Sequence, residues 1–131
     1  MCHGLAMVKL VFCLRRRPEL TREEFQRIWL DEHGPLVRRH AEAIGMRRYV
    51  QSHTRDSALN PVLAGSRGAP EPYDGVAELW FDSEEALVAA ATSPEGTAAG
   101  AELHADEQRF IDHAQSPIFL VAEHELVGGD A

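Results

Sequence analysis

A helix followed by a strand is encoded in residues 21–53, TREEFQRIWLDEHGPLVRRHAEAIGMRRYVQSH. Thr21 and Glu24 have the spacing of a capping box, in which each side chain bonds a free backbone N–H at the start of a helix. The apolar residues that follow recur at intervals typical of a helix with one buried face: Phe25, Ile28, Trp29, Leu36, Val37 and Ile44. His33 and His40 share that face. We therefore expect a helix whose buried side carries two imidazole groups.

Two glycines shape the same stretch. Gly34 precedes Pro35, which lacks the N–H of the helical ladder, so a kink or a fresh helix start is expected there. Gly45 is placed to end the helix as a C-terminal cap. The next eight residues alternate as a strand does, with Arg47, Tyr49, Gln51 and His53 on one face and Met46, Arg48, Val50 and Ser52 on the other.

The remaining elements complete a recognisable order. Apolar, β-branched runs predict strands over residues 8–14, 75–81 and 118–126. Ser83 and Ser93 predict the starts of two helices before the last strand. The order β-α-β-β-α-β is that of the ferredoxin-like α+β fold, a four-stranded antiparallel sheet with helices on one face. The other face is then apolar and uncovered, and a second copy of the chain is the simplest partner for it.

One domain accounts for all 131 residues, 1–131. Its longest segment without a clear pattern is 55–74, which contains three prolines. Loops of this length in small domains are usually lids or binding loops. Leu59, Val62 and Leu63 give the segment an apolar surface, so we expect an irregular, lid-like loop.

Charge and cysteine content limit the partners and the location. The chain has 13 basic and 21 acidic residues and a net charge of -8, which argues against nucleic acid and anionic membrane surfaces as partners. Cys2 and Cys13 offer no disulfide framework. A reducing, cytoplasmic location is therefore expected. The N-terminal apolar run is too short to span a membrane and lacks the order of a secretory signal.

No metal or cofactor is expected from local motifs. His104 and Glu107 lie three apart on a predicted helix, but no compact set of three or four ligands can be assembled from spacing alone. The sequence has no HExxH, CxxC or glycine-rich phosphate loop.

Four blocks of the sequence resemble the EthD-domain family: FxxxWxxxHGPL at 25–36, GxxxYxQxH at 45–53, YDGVAELWF at 73–81 and DExxFID at 106–112. The resemblance implies a homodimer in which two ferredoxin-like sheets form one α+β barrel, each subunit keeping a cavity between sheet and helices. The family is named for a small protein encoded with an ether-degrading oxidation system. Fungal relatives look like dehydratases or decarboxylases of aromatic polyketide pathways, and the wider superfamily includes cyclases and cofactor-free monooxygenases, so membership does not name a reaction.

Three residues are the candidates for catalysis. His33 lies on the buried helix face directly before the predicted break, where an imidazole can face a cavity and exchange protons near neutral pH. The alternative is a buried structural histidine that fixes the kink. His53 and Tyr49 share a strand face and could offer one substrate a base and a phenolic donor, unless Tyr49 simply packs in the core and His53 lies in water.

Five further residues are candidates for binding the substrate: Trp29, His40, Trp80, Phe81 and Asp106. The aromatic rings could form cavity walls, and core packing is the equal alternative. The Asp106 carboxylate could orient His33 or His40, or be an ordinary residue at the helix edge.

Two functions are compatible with these residues. The first is a cofactor-independent enzyme, of lyase, cyclase or monooxygenase-like type, that acts on a small hydrophobic, aromatic or polyketide-like metabolite by dehydration, decarboxylation or cyclisation. The second is a non-catalytic protein that binds a small hydrophobic molecule or supports an oxidation system of the ether-degradation type.

Overall fold

The computed structural model describes residues 7–129, so Cys2 and the rest of residues 1–6, with residues 130–131, lie outside the described part. Four strands form one antiparallel sheet in the order β2-β3-β1-β4: β1 Val8–Leu14, β2 Met46–His53, β3 Gly75–Phe81 and β4 Ile118–Val121. Five α-helices connect them: α1 Arg22–Arg27, α2 Gly34–His40, α3 Leu59–Arg67, α4 Glu84–Thr92 and α5 Pro94–Glu107. This is the predicted α+β, ferredoxin-like arrangement, with β4 ending earlier than expected.

The first helical unit begins and bends where the sequence predicts. The hydroxyl of Thr21 accepts the N–H of Glu24 at 3.1 Å, and the Glu24 carboxylate accepts the N–H of Thr21 at 2.8 Å, which completes the capping box. A π-helical turn, Ile28–His33, separates α1 from α2, and the N–H of Gly34 bonds the carbonyl of Trp29, five residues back. The wider turn accommodates Pro35 at the start of α2 without a sharp break.

A β-bulge corrects the predicted faces of β2. The pairing with β3 shifts between Met46 and Arg48, so one extra residue, Arg47, is inserted there. Met46 is therefore buried in the core on the same side as Tyr49, whereas simple alternation had placed it on the opposite face. The alternation holds from Arg48 onward.

Helices cover one face of the sheet and enclose the core. One cluster centres on Phe25, Trp29 and Phe110, and a second joins Leu36, Val37, Met46, Phe81 and Leu103. The other face is not purely apolar, because the Lys9 ammonium pairs with the Glu78 carboxylate at 2.7 Å among its valines and Trp80. Glu78 is thus a paired charge on the uncovered face.

Residues 55–74 are not an irregular loop, because α3 occupies their centre. Pro61 lies in the first turn of α3, where a helix has no use for the missing N–H, and Gly68 ends the helix with a positive φ of 61°. Leu59, Val62 and Leu63 are 63 to 65% exposed and line neither of the two cavities described below. In this structure the segment is a surface helix.

Within residues 7–129 no helix combines the length and apolar character that crossing a membrane requires.

Asp74 and Gly75 anchor the helical layer to the sheet. The buried Asp74 carboxylate accepts hydrogen bonds from the backbone of Arg16 at 2.8 Å and from the guanidinium groups of Arg16 and Arg22 at 2.5 and 3.0 Å. Burial alone would raise the pKa of Asp74, but these bonds outweigh it and lower the pKa. The six-membered ring of Trp29 lies directly against Gly75, where an added Cβ would be 2.8 Å from Cη2.

The contact between Trp29 and Gly75 predicts a strongly position-dependent effect of adding one methyl group. We expect Gly75→Ala to lower the free energy of unfolding by about 1–3 kcal/mol, because the new methyl overlaps the indole. Gly100→Ala is the matched control, since nothing lies within 4 Å of its Cβ position in α5. In that variant the free energy of unfolding should stay the same or rise by up to about 1 kcal/mol, because alanine has a higher helix propensity than glycine. If urea denaturation showed equal changes in stability for Gly75→Ala and Gly100→Ala, the close contact between Trp29 and Gly75 would be contradicted.

Candidate functional site

A small chamber lies between the helical layer and the sheet. Its volume is about 60 Å³, and ten of its thirteen lining residues are apolar: Phe12, Leu14, Trp29, Val37, Ile44, Met46, Ala77, Leu79, Leu103 and Ile111. The other three are His33, Tyr49 and Glu107. An apolar pocket with a few convergent polar groups is the usual form of a small-molecule site.

His33 is held at the chamber by a carboxylate. Its side chain is almost fully buried, and Nδ1 lies 2.8 Å from Oδ2 of Asp106. An ionised carboxylate only accepts hydrogen bonds, so we assign the Nδ1 proton to His33 as donor. The other nitrogen, Nε2, is then left for the chamber, and Phe110 packs against the ring at 5.1 Å between centroids. This arrangement fixes both the tautomer and the orientation of the imidazole.

A surface network keeps Asp106 charged. Burial acts to raise the pKa of Asp106, but hydrogen bonds from His33 and Arg109 outweigh it and lower the pKa. Arg109 donates to Asp106 at 2.9 Å and also pairs with Glu32 at 3.1 Å. Asp106 is therefore an anion at neutral pH that stabilises positive charge on His33.

Glu107 also lines the chamber, although it is not among the residues predicted from the sequence. Its Oε2 lies 3.9 Å from Nε2 of His33, and its Oε1 accepts a hydrogen bond from His113 at 3.0 Å. The available signal was helical spacing, since Glu107 follows the buried Leu103 by four residues and precedes the buried Phe110 by three. That spacing places its carboxylate on the buried side of α5.

Tyr49 provides a phenol that stays neutral. Its hydroxyl accepts a hydrogen bond from the Gln51 amide at 2.8 Å, which leaves the phenolic proton free to be donated. Burial raises the pKa of Tyr49 to about 12, helped by the charge of Glu107, although hydrogen bonds to Gln51 and Trp29 act in the opposite direction. A neutral phenol is a hydrogen-bond donor for a developing oxyanion.

His53 does not line the chamber. It stacks on Trp29 with 4.5 Å between ring centroids, and its Nε2 bonds the side-chain carbonyl of Gln51 at 2.8 Å. Burial lowers the pKa of His53. Its link to Tyr49 therefore runs through Gln51, so the structure gives it a supporting position and no direct access to the chamber.

Only two of the five candidates for substrate binding lie at or next to the chamber. Trp29 lines the chamber and Asp106 acts through His33. The other three do not line it: His40 bonds Glu102 at the surface at 2.7 Å, Phe81 is buried in the second core cluster, and Trp80 lies on the uncovered sheet face. Core packing is thus the observed role of Phe81.

An outer cleft of about 390 Å³ adjoins the chamber. It lies between the helical unit and the edge strand β2, and it shares three lining residues with the chamber: Val37, Met46 and Tyr49. These three side chains form the boundary between the two spaces. Within residues 7–129 no group of three or more histidine, cysteine or acidic side chains is arranged to hold a metal ion.

The fold and the chamber define a ferredoxin-like protein with a buried histidine site. The sequence model of the EthD domain matches residues 17–114, most of the chain, and the protein belongs to the EthD domain family. No curated protein matches the chain significantly.

Solved structures share the fold at low sequence identity. An EthD family protein from Bacillus halodurans is 23% identical, with a TM-score of 0.59 over 90% of this chain and 99% of that one. A dimeric ferredoxin-like protein of unknown function from Thermobifida fusca is 14% identical, with a TM-score of 0.56 over 89% and 91% of the two chains. SnoaB, a cofactor-independent oxygenase from Streptomyces nogalater, is 14% identical, with a TM-score of 0.52 over 93% and 97%.

The environment of Tyr49 predicts an unusual alkaline titration. The chain has two tyrosines, so the variant Tyr73→Phe reports on Tyr49 alone. Its phenolate absorbance should appear near pH 12, against the ordinary value of 10.0. Because the folded protein favours the neutral phenol, this stability is fully present below pH 10 and is lost as pH rises towards 12. The same variant unfolded in urea is the control and should titrate near 10. A folded titration near 10 would show that Tyr49 is not buried.

Proposed function

We propose that the protein is a cofactor-independent enzyme that uses acid–base chemistry on a small hydrophobic, aromatic or polyketide-like molecule. The observation that carries this proposal is the pair of His33 and Asp106, with Nε2 of His33 left for a chamber that is apolar apart from His33, Tyr49 and Glu107. SnoaB supports it as a protein of the same fold that is described as working without a cofactor.

The residues suit the removal of a proton next to a carbonyl group. Nε2 of His33 takes the proton, and the charge on the resulting imidazolium is stabilised by Asp106 and by the nearby Glu107. The electron pair moves to the carbonyl oxygen, where the hydroxyl of Tyr49 donates a hydrogen bond to the enolate. In a dehydration the enolate expels a β-hydroxyl, and the imidazolium returns the proton so that water leaves. Cyclisation would use the same enolate as a carbon nucleophile. Decarboxylation of a β-keto acid would instead form an enolate by loss of CO2, and the imidazolium of His33 would then protonate its carbon.

Substrate size requires the two spaces to work together. The chamber has too little room for an aromatic ring system, whereas the outer cleft lies within the range of about 300–1,000 Å³ usual for ligand pockets. We place the body of the substrate in the cleft and its reacting atoms at the chamber. Met46, a flexible side chain on the boundary, is the residue best able to move aside.

The proposal predicts a large and specific effect of removing the imidazole. The probe is 3-hydroxy-1-tetralone, whose dehydration gives fluorescent 1-naphthol. We expect His33→Ala to reduce turnover by about 10²–10⁴-fold, the usual contribution of a general base. His40→Ala is the matched control, since His40 lies on the same helical unit but bonds Glu102 at the surface.

Binding separates this function from its alternative. If the substrate or its product binds His33→Ala with unchanged affinity in calorimetry while turnover is lost, the imidazole acts in the transition state. Equal turnover by His33→Ala and wild type would contradict the proposal. Binding without any turnover by the wild type would favour the non-catalytic binding or accessory role.

We also propose that the protein is a homodimer joined through the uncovered sheet face. Val11 and Phe119 face each other there on neighbouring strands, and Phe119 is 47% exposed. Exposed apolar surface of this kind typically marks an interface. The dimeric Thermobifida fusca protein of the same fold supports the proposal.

Dimerisation through this face predicts a position-dependent loss of assembly. Light scattering should give twice the chain mass of 14.5 kDa for the wild type. Phe119→Asp should shift the protein towards the monomer, because a carboxylate would be buried between the sheets. Val88→Asp is the control, since Val88 is exposed on α4 on the covered side of the sheet. A monomeric wild type, or equal effects of the two variants, would contradict this interface.

A cytoplasmic location is proposed on chemical grounds. Cys13 is a free thiol in the described part of the chain, and burial raises its pKa, which disfavours the reactive thiolate form. A free thiol is the normal state of cysteine in a reducing compartment.

A further inference from the structure

The outer cleft combines an apolar floor with charged residues that are all positive. Its apolar lining consists of Leu30, Pro35, Val37, Ala41 and Met46. Three arginines also line it, Arg38, Arg47 and Arg48, and no acidic residue does. This local positive charge stands out in a chain with a net charge of -8. Such a cleft favours an anion that carries an apolar body.

Two of the three arginines are already engaged. Arg47 is held by both carboxylate oxygens of Asp82, at 3.1 Å from Nε and 2.8 Å from Nη2. The guanidinium of Arg48 lies over the ring of Trp80, 4.5 Å from its centroid. These contacts direct both groups towards partners outside the cleft.

Arg38 is the cation left for a ligand. Within residues 7–129 its guanidinium forms neither an ion pair nor a side-chain hydrogen bond. It projects from α2, one turn beyond Pro35, at the rim of the cleft. A guanidinium offers parallel N–H groups that match the two oxygens of a carboxylate.

The position of the cleft connects this anchor to the chamber. Tyr49 lines both spaces, so a molecule lying along the apolar floor from Arg38 would reach the hydroxyl of Tyr49. The floor ends at Val37 and Met46, which are also the boundary of the chamber. A ligand anchored at one end would thus present its other end to His33.

We propose that Arg38 binds the carboxylate of an aromatic or similarly apolar organic acid in the outer cleft, so that the substrate class is a carboxylate anion. The inference rests on the proposed function for the identity of the reacting end, while the binding of the anion does not depend on catalysis. A single available guanidinium suits a monocarboxylate, since a phosphate monoester carries nearly two charges and would need more donors.

The test compares two ligands of nearly identical shape. Calorimetry measures the affinity of 2-naphthoate, an anion, and 2-naphthamide, its neutral counterpart, for the full-length protein. Wild type should bind the naphthoate at least about tenfold more tightly than the amide. Arg38→Gln should lower the affinity for 2-naphthoate by about tenfold and leave the affinity for 2-naphthamide unchanged. A rise in salt concentration should lower the affinity for the naphthoate anion only.

Arg39→Gln is the matched control. Arg39 is the next residue of α2, is also exposed, and does not line the cleft. It should leave both affinities unchanged. Equal binding of the two ligands by wild type, absence of naphthoate binding, or equal effects of the two arginine variants would overturn the proposal.

His33→Ala separates this inference from the proposed function. The variant should keep the preference for naphthoate while losing turnover of 3-hydroxy-1-tetralone. If the preference for naphthoate over the amide depends on Arg38 but His33→Ala still turns over 3-hydroxy-1-tetralone, the anion site stands and the catalytic assignment falls. If turnover depends on His33 but the preference is absent, the catalytic assignment stands and the anion site falls.

Discussion

The contact of Trp29 with the bare backbone of Gly75 sets the position of the helical layer above the sheet. A side chain at Gly75 would overlap the indole, so the glycine permits an approach that no other residue allows. Asp74 reinforces it by binding the turn at Arg16 and the start of α1 at Arg22. Because Trp29 belongs to the π-helical turn, this one contact also determines where His33, at the end of that turn, meets the sheet.

The site follows from this placement. The π-helical turn keeps both Trp29 and His33 on the buried side, although they are followed by a proline that interrupts the ordinary helical ladder. α5 then brings Asp106 to one nitrogen of the imidazole and Glu107 near the other. Two adjacent acidic residues thereby perform different tasks: one fixes the tautomer, and the other lines the chamber. Such a division is typical of acid–base sites, in which environment separates the roles of similar groups.

Much of the fold and part of the candidate site could be predicted from the sequence, because they depend on interactions between residues that are close together in the chain. The capping box at Thr21, the serine caps and the succession of strands and helices along the chain are set by short-range chemistry, and His33 lies on a periodic apolar face. The bulge at Arg47 could not be predicted, since one extra residue in a strand changes no composition or period that a short window can detect. Pro61 suggested a loop, because a proline in a first helical turn and a proline in a loop look alike until the neighbouring residues are placed. Glu107 was missed because choosing between adjacent carboxylates depends on the rotation of α5, which tertiary packing fixes.

The anion site and the catalytic histidine meet in one proposed arrangement, in which a ligand lies along the cleft from Arg38 to Tyr49 and presents its far end to His33. A crystal structure of the protein with bound 2-naphthoate tests it most directly. We expect the carboxylate to lie on the guanidinium of Arg38 and the ring to lie against Met46 and Tyr49, with Nδ1 of His33 still bonded to Asp106. Density for the ring on the uncovered sheet face or beside α3, with an empty cleft, would contradict it.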